Sequence, residues 1–412
     1  MTPKQLSGLF NLRGKVALGL GPMERLLDRL NHPEQNKQII HFAGTNGKGS
    51  TLVAVEALLI ASGYSVTSFI SPHLVEFNER FRLQGEPVSD AGLHGALEQV
   101  CQSLGVQIAD LEHTDPATLG ASFFEISFAM ALLIGQASDW LLVETGLGGR
   151  LDATNVLQSP KGCVITSIGL DHMEYLGDTL GSITGEKLGI LKPGAAVFLA
   201  PQAPEVTLLV RQKAAVMGLT LFEANQEQIQ GMTLGLKGAH QQENLATACL
   251  VYQELCPPQK QMDAQTLALC LSSLSWPGRL EFIGPDVLVD GAHNQGGFNS
   301  LIAYLKANHR GKKILLGVGW MGGKALFEGL DLSGLDVTFI PLSGTYPGAE
   351  AHPELALSPH GPTLEPKRVA LAYQEWKDGV YEGFDLLVIA GSLYLIGELK
   401  AFLLSYRETK KG

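Results

Sequence analysis

The chain has 412 residues, 45% of them hydrophobic and 17% charged, with a formal net charge of −11. That length exceeds one ordinary core and points to two domains, and the composition excludes a disordered chain. The acidic balance excludes a general nucleic-acid binder, which needs a basic face to displace counterions, but leaves room for one small anion held by local cations.

The cysteines (Cys101, Cys163, Cys249, Cys256 and Cys270) are scattered and include no C-x-x-C pair. They read as reduced core thiols. The opening MTPKQLSGLFNLRG carries no apolar signal core. Apolar stretches such as LVAVEALLIA run to about ten residues, too short to span a bilayer. The expectation is a cytoplasmic monomer with no membrane or nucleic-acid partner.

In chain order, residues 39–42 read as a strand running into 41-HFAGTNGKGST-51. The usual phosphate loop places Ser or Thr directly after its Gly-Lys pair. Here Lys48 is followed by Gly49, and the hydroxyls come at Ser50 and Thr51. A strand feeding a glycine turn that opens a helix still suits an anion, because backbone amides and the helix N-terminus point at it. Lys48 is placed to reach the β- and γ-phosphates, and Ser50 or Thr51 to meet Mg²⁺.

Residues 50–62 show helical periodicity that stops at Gly63, and 64–70 read as a strand followed by 71-SPHLVEFNERF-81. Residues 122–136 read as a helix and 139–146 as a buried strand leading into 144-ETGLGGRLDATN-155. A strand over 162–168 leads to 169-GLDH-172. Each polar segment begins where a strand stops, which is where a parallel sheet places its site. Ser71, Glu144 and His172 are thus candidate Mg²⁺ ligands. Lys187 lies on a helix predicted to run to Pro193, and by spacing alone it is a surface lysine.

Helical patterning breaks at 275-SWPGRLEFIG-284. It restarts with strands at 287–289, 313–318, 336–340 and 385–390 and helices at 296–308 and 392–404. Alternation of strand and helix predicts an α/β protein with mostly parallel sheets. The expected division falls near residue 280, into residues 1–280 and 281–412.

The segments GTNGKGST, SPHLVEFNERF, SFFEISFAMAL, ETGLGGRLDATNV, ITSIGLDH, GEKLGILKPG, HQQENLATA, WPGRLE, DGAHN and AGSLYLIGE occur in this order. Together they resemble the folylpolyglutamate synthase/dihydrofolate synthase branch of the Mur ligases, over nearly the whole chain. The resemblance implies an ATP-dependent ligase that joins L-glutamate to dihydropteroate or a reduced folate through an acyl phosphate. It implies a phosphate-loop ATPase domain, which also binds the pterin, over residues 1–280 and a smaller Rossmann-like domain over residues 281–412. It implies a phosphate loop at Thr45, Asn46, Gly47 and Lys48, continuing through Gly49 and Ser50. It makes Ser71 and Glu144 ligands of one Mg²⁺ and His172 of a second. Lys187 matches the lysine that the family carbamylates. Lys48, Glu144, His172 and Lys187 are the expected catalytic groups. Asn244, Arg279, Asp290 and His293 match nucleotide contacts. Ser122, Phe123, Phe124 and Glu125, with Leu151, Asp152 and Ala153, match segments that bind the pterin substrate.

Three stretches depart from the family pattern. In 319-GWMGGKAL-326, Lys324 lacks flanking acids; 343-SGTYPGAEA-351 has no Arg; and Ala17 stands where an Asp is common. The competing readings are a Mur-type ligase with another carboxylate substrate, and a phosphate-loop ATPase without ligase activity. A cell-wall ligase is expected to carry an extra N-terminal domain, for which the roughly 40 residues before the loop leave no room.

Overall fold

The computed structural model describes residues 9–10, 19–114, 119–319, 330–345 and 363–409. The departures at Ala17, 320–326 and 346–351 lie outside them. The chain divides into two compact units. The first takes residues 1–72, 78–233 and 243–274, and the second takes 73–77, 234–242 and 275–412.

The first unit opens with helix α1 (Gly21–Arg29), then β1 (Gln38–Ala43), α2 (Lys48–Ala61) and β2 (Val66–Phe69). Next come β3 (Phe81–Leu83), β4 (Glu86–Pro87), α3 (Asp90–Leu104), α4 (Phe123–Ile134), β5 (Trp140–Glu144) and β6 (Gly162–Ile165). A short α5 (Met173–Leu176), α6 (Leu180–Lys187), β7 (Ala196–Leu199), α7 (Pro204–Met217) and β8 (Leu221–Glu223) follow. Helices α8 (Ala239–Leu255), whose residues 239–242 are counted with the second unit, and α9 (Ala264–Ser273) complete the series up to residue 274.

The eight strands order as β4-β3-β2-β5-β1-β6-β7-β8. From β2 to β8 all neighbours are parallel, and the antiparallel pairings, β2 with β3 and β3 with β4, lie at one edge. The central strands are short apolar runs buried on both faces, as a helix-covered parallel sheet requires. Full burial of side chains such as Phe42, Phe69 and Val143 stabilises this layer by about 1.5–3 kcal/mol each. Helix α2 is apolar almost all round, and buries Leu52, Val53, Ala54, Val55, Leu58 and Leu59.

Register decides where the site lies. Phe42 pairs with Glu144, Ala43 with Ile165, and Phe69 with Val143. The carboxyl ends of β2, β5, β1 and β6 therefore sit side by side along one edge of the sheet.

The second unit has a six-stranded sheet built from β9 (Glu281–Phe282), β10 (Val287–Asp290), β11 (Lys313–Gly319), β12 (Asp336–Ser343), β13 (Lys367–Arg368) and β14 (Leu386–Ala390). The strand order is β13-β12-β11-β14-β10-β9, and only β9 is antiparallel to its neighbour. Helix α10 (Gln295–Asn308) buries Phe298, Leu301 and Leu305 in one core cluster. Helices α11 (Val369–Lys377) and α12 (Leu393–Thr409) contribute Val369, Ala372, Leu395 and Ile396 to another.

One local expectation fails. The helix predicted to reach Pro193 ends at Lys187 and tightens into a 3₁₀ turn over Leu188–Ile190. The cause is a close approach: a Cβ on Gly189 would lie 2.4 Å from Arg150 Cα, so the chain presses against the loop after β5.

Candidate active site

β1 delivers the chain into the glycine turn, and α2 begins at Lys48. A Cβ on Gly44 would lie 1.8 Å from Thr166 Oγ1. Gly47 caps α2 with φ +88°, and a Cβ there would lie 2.2 Å from Asn244 Oδ1. Only glycine meets both conditions. The Thr45 and Asn46 amides donate to the Ser167 carbonyl at 2.8 and 3.1 Å. Thr45 Oγ1 donates to the Gly169 carbonyl and accepts from the Gly169 amide, both at 3.0 Å. The turn is thus pinned to the segment after β6. The first-turn amides of α2, at Lys48, Gly49 and Ser50, are the donors a phosphate would meet.

Two lysines meet at this turn. Lys48 Nζ donates to the Gly44 carbonyl at 3.1 Å and the Thr45 carbonyl at 3.3 Å. Lys187 Nζ donates to the same Gly44 carbonyl at 2.8 Å. Lys187 is 4% exposed, so the surface position read from spacing is wrong. The last turn of α6 packs against the loop after β5. A Cβ on Gly149 would lie 2.7 Å from the Glu186 carbonyl and 2.8 Å from that of Lys187. Burial first, then the neighbouring Lys48 charge, pulls the Lys187 pKa down to about 7, while Asp171 and Asp152 act in the opposite direction. A buried amine near neutrality is nucleophilic, which is what carbamate formation from CO₂ requires.

Glu144 ends β5 beside them. Its Oε1 lies 3.8 Å from Lys48 Nζ, and its Oε2 accepts the Ser71 amide at 3.1 Å. A carboxylate and a hydroxyl at adjoining strand ends are hard oxygen donors and fit Mg²⁺ or Mn²⁺. Among the described residues, no three His, Cys, Asp or Glu side chains are grouped to hold a metal. A cation here would take its remaining ligands from phosphate and water. His172 follows the pinned segment, with φ +49° and an exposed ring. Its nitrogens lie 4.0 Å from Asp171 Oδ1 and from Glu174 Oε1.

No family model matches the chain. The chain is 35% identical over 331 residues to the dihydrofolate synthase/folylpolyglutamate synthase of Bacillus subtilis, covering 74% of this chain and 75% of that protein. The chain belongs to the dihydrofolate synthase/folylpolyglutamate synthase family. Among solved structures it is similar to E. coli FolC in complex with DHPP and ADP, with 26% identity, TM-score 0.81 and 98% of each chain covered. It is also similar to the bifunctional folylpolyglutamate synthase/dihydrofolate synthase of Yersinia pestis complexed with AMPPNP and a manganese ion. There the identity is 26% and the TM-score 0.79, with 98% of this chain and 100% of that chain covered. The fold is that of this family of ATP-dependent, divalent-metal-using ligases, and the alternative of a phosphate-loop ATPase without ligase activity is set aside.

The expected pterin segments of the family have clear local structure. Ser122 and Glu125 form a capping box at the start of α4: Ser122 N donates to Glu125 Oε2 at 2.6 Å, and Glu125 N to Ser122 Oγ at 3.3 Å. The Phe123 ring carries Arg80 at 5.3 Å and packs on Phe10 at 5.7 Å. Phe124 packs on Phe69 at 5.6 Å and fills the space over Gly146. Leu151 accepts the Gly19 amide at 3.2 Å. Asp152 and Ala153 are buried.

In the second unit, Asp290 ends β10, and its carboxylate accepts the Leu280 and Ala292 amides at 2.8 and 2.9 Å. His293 Nδ1 lies 2.8 Å from the Gly291 carbonyl. Gly291 admits Arg279, whose Nη1 lies 2.4 Å from where a Cβ would sit. Asn244 belongs to the first unit, buried against Gly47.

Sequence reasoning overlooked two buried titratable residues that lie beside candidate positions, one in each unit. Asp171 is buried and donates charge to the Lys187 environment, although it stands beside His172 in the GLDH segment. His240 sits near Asp290 and Arg279; burial lowers its pKa, Asp290 opposing and Arg279 assisting. Neither carries a local signal, because each depends on a partner distant in sequence.

Proposed function

We propose that this protein uses ATP to join L-glutamate to dihydropteroate or to a reduced folate. The observation that carries the reading is the meeting of Lys48 and Lys187 on the Gly44 carbonyl, with the Glu144 carboxylate beside Lys48. Such a site favours a polyanion and supplies donors for a divalent cation. E. coli FolC bound to DHPP and ADP, and the Bacillus subtilis enzyme by its name, support the substrate class.

A substrate carboxylate attacks the γ-phosphorus of ATP, ADP departs, and an acyl phosphate forms. The glutamate amine then attacks the acyl carbon, and phosphate departs. Two anions meet in the first step, so neutralising their charge is the main requirement, a contribution of several kcal/mol. Lys48 supplies it at the β- and γ-phosphates. Ser71 and Glu144 would hold one Mg²⁺, and His172 with a carbamylated Lys187 a second; bound Mg²⁺ would neutralise the remaining charge. Thr45, Asn46, Gly47, Gly49 and Ser50 shape the phosphate turn. Asn244, Arg279, Asp290 and His293 are proposed nucleotide contacts. Ser122, Phe123, Phe124, Glu125, Leu151, Asp152 and Ala153 are proposed to receive the pteroyl group. The Ser122–Glu125 capping box and the buried Asp152 favour structural support over direct contact for those three side chains. We further propose that residues 1–280 and 281–412 divide the work as ligase core and nucleotide-closing domain. The working form is taken to be a cytoplasmic monomer acting on small molecules.

Among the described residues no helix is long and apolar enough to cross a membrane.

The test measures ADP release and product mass together. ADP is expected only when L-glutamate and either dihydropteroate or tetrahydrofolate are both present. Turnover indifferent to both would remove the substrate assignment. Lys48→Ala and Glu144→Ala are each expected to abolish ligation while leaving the circular dichroism spectrum unchanged.

A further inference from the structure

A buried polar chain runs behind the glycine turn. His41 lies in β1, three residues before Gly44, and is fully buried. Its Nε2 is 2.8 Å from Thr154 Oγ1. Thr154 Oγ1 in turn donates to Asp152 Oδ1 at 2.5 Å. The same carboxylate accepts the Thr154 amide at 3.0 Å and, through Oδ2, the Leu147 amide at 2.7 Å. Asp152 therefore closes the 147–152 loop on itself.

The donor directions follow from counting protons. A threonine hydroxyl has one, and here it goes to a carboxylate that already takes two backbone amides. Towards the imidazole the hydroxyl accepts, so Nε2 carries the ring hydrogen. Burial lowers the His41 pKa to about 3, so the ring is neutral and Nδ1 is bare. Among the described residues Nδ1 has no hydrogen-bond partner, and an unmet acceptor is tolerated better than an unmet donor. The loop held this way also donates the Arg150 amide to the Glu186 carbonyl at 2.7 Å, beside Lys187.

We propose that His41 is a positioning residue: its Nε2–H, acting through Thr154, sets the Asp152 carboxylate and with it the 147–153 loop. This ties the strand that carries the phosphate turn to the loop that receives the pteroyl group, and it rests on the assignment of Leu151–Ala153 to that substrate. No histidine chemistry is involved, only direction and tautomer.

The test compares His41→Leu, His41→Gln and Thr154→Val by amide hydrogen exchange and steady-state kinetics. In His41→Leu, exchange over residues 147–155 is expected to rise about tenfold or more, with residues 44–51 unchanged. The KM for dihydropteroate is expected to rise about tenfold and that for ATP to stay within about twofold. Glutamine presents an N–H at a similar reach, so His41→Gln is expected to restore both readouts. Thr154→Val is expected to copy His41→Leu, and the double variant to be no worse than either. Equal exchange in wild type and His41→Leu, a matched rise in both KM values, or a glutamine variant no better than leucine would each overturn the proposal. If His41→Leu does not fold, His41→Gln and Thr154→Val carry the test. A wild-type protein that ligates neither pteroyl substrate sinks the proposed function instead, and the exchange comparison still decides the role of His41.

Discussion

At the scale of single residues, Lys187 is the instructive case. Its helix reads as a solvent-facing segment with Lys at one end, yet the ammonium is buried on the Gly44 carbonyl. The folded pKa of about 7 lies below the ordinary 10.5. Between those values the unfolded chain binds a proton that the folded chain does not. Stability should therefore increase as pH rises from about 7 to about 10, and the penalty should be complete below about pH 7. In bicarbonate-free buffer, urea midpoints for wild type should rise over that range, and Lys187→Met should lose that rise. A flat wild-type profile would mean that the buried amine is not neutral at high pH. The placement of Glu144 and Ser71 at neighbouring strand ends, by contrast, was legible from sequence, because the alternation of elements had located both ends.

At the scale of elements, the turn–helix unit of β1 and α2 depends on glycines that no other residue replaces. Gly47 and Gly149 serve different contacts: the first admits Asn244, the second admits the end of α6. Gly149→Ala should displace Lys187 from the turn, because the new methyl would meet backbone carbonyls 2.7 and 2.8 Å away, which cannot swing aside as a side chain can. Ligation should fall by at least about tenfold, while ATP affinity, which we assign to the first turn of α2, changes little. A calorimetric ATP titration beside a ligation assay separates the two. Strands β1, β2, β5 and β6 were readable as short apolar runs, whereas β3, β4, β7 and β8 were not read from sequence. The early stop of α6 was not, since it is imposed by Arg150 from the preceding loop and not by any breaker before Pro193.

At the scale of the whole molecule, the acidic chain concentrates two lysines at a single carbonyl in the first unit. An anionic nucleotide should stabilise such a protein far more than its average charge suggests. At about a hundredfold excess over Kd, MgATP should add about 2.7 kcal/mol to unfolding stability. Lys48→Ala should lose most of that increment, and chelation of the divalent metal by EDTA should reduce it in wild type. Thermal melts with and without nucleotide measure both effects.

The sequence by itself determined the strands that lead into the candidate site, the α/β class and the glycine turn. These follow from local periodicity, from the conformational freedom of glycine, and from motifs contiguous along the chain. Membership of the ligase family was legible for the same reason, because its segments survive as short words in fixed order. Tertiary structure alone decided that Lys187 is buried with its pKa drawn down to about 7, that Asp171 and Asp152 bear on its charge, and that His41 reaches Thr154 across 113 positions. Those properties arise when parallel strands bring distant loops to one edge of a sheet, where burial removes water and makes charge depend on neighbours that the linear chain keeps apart.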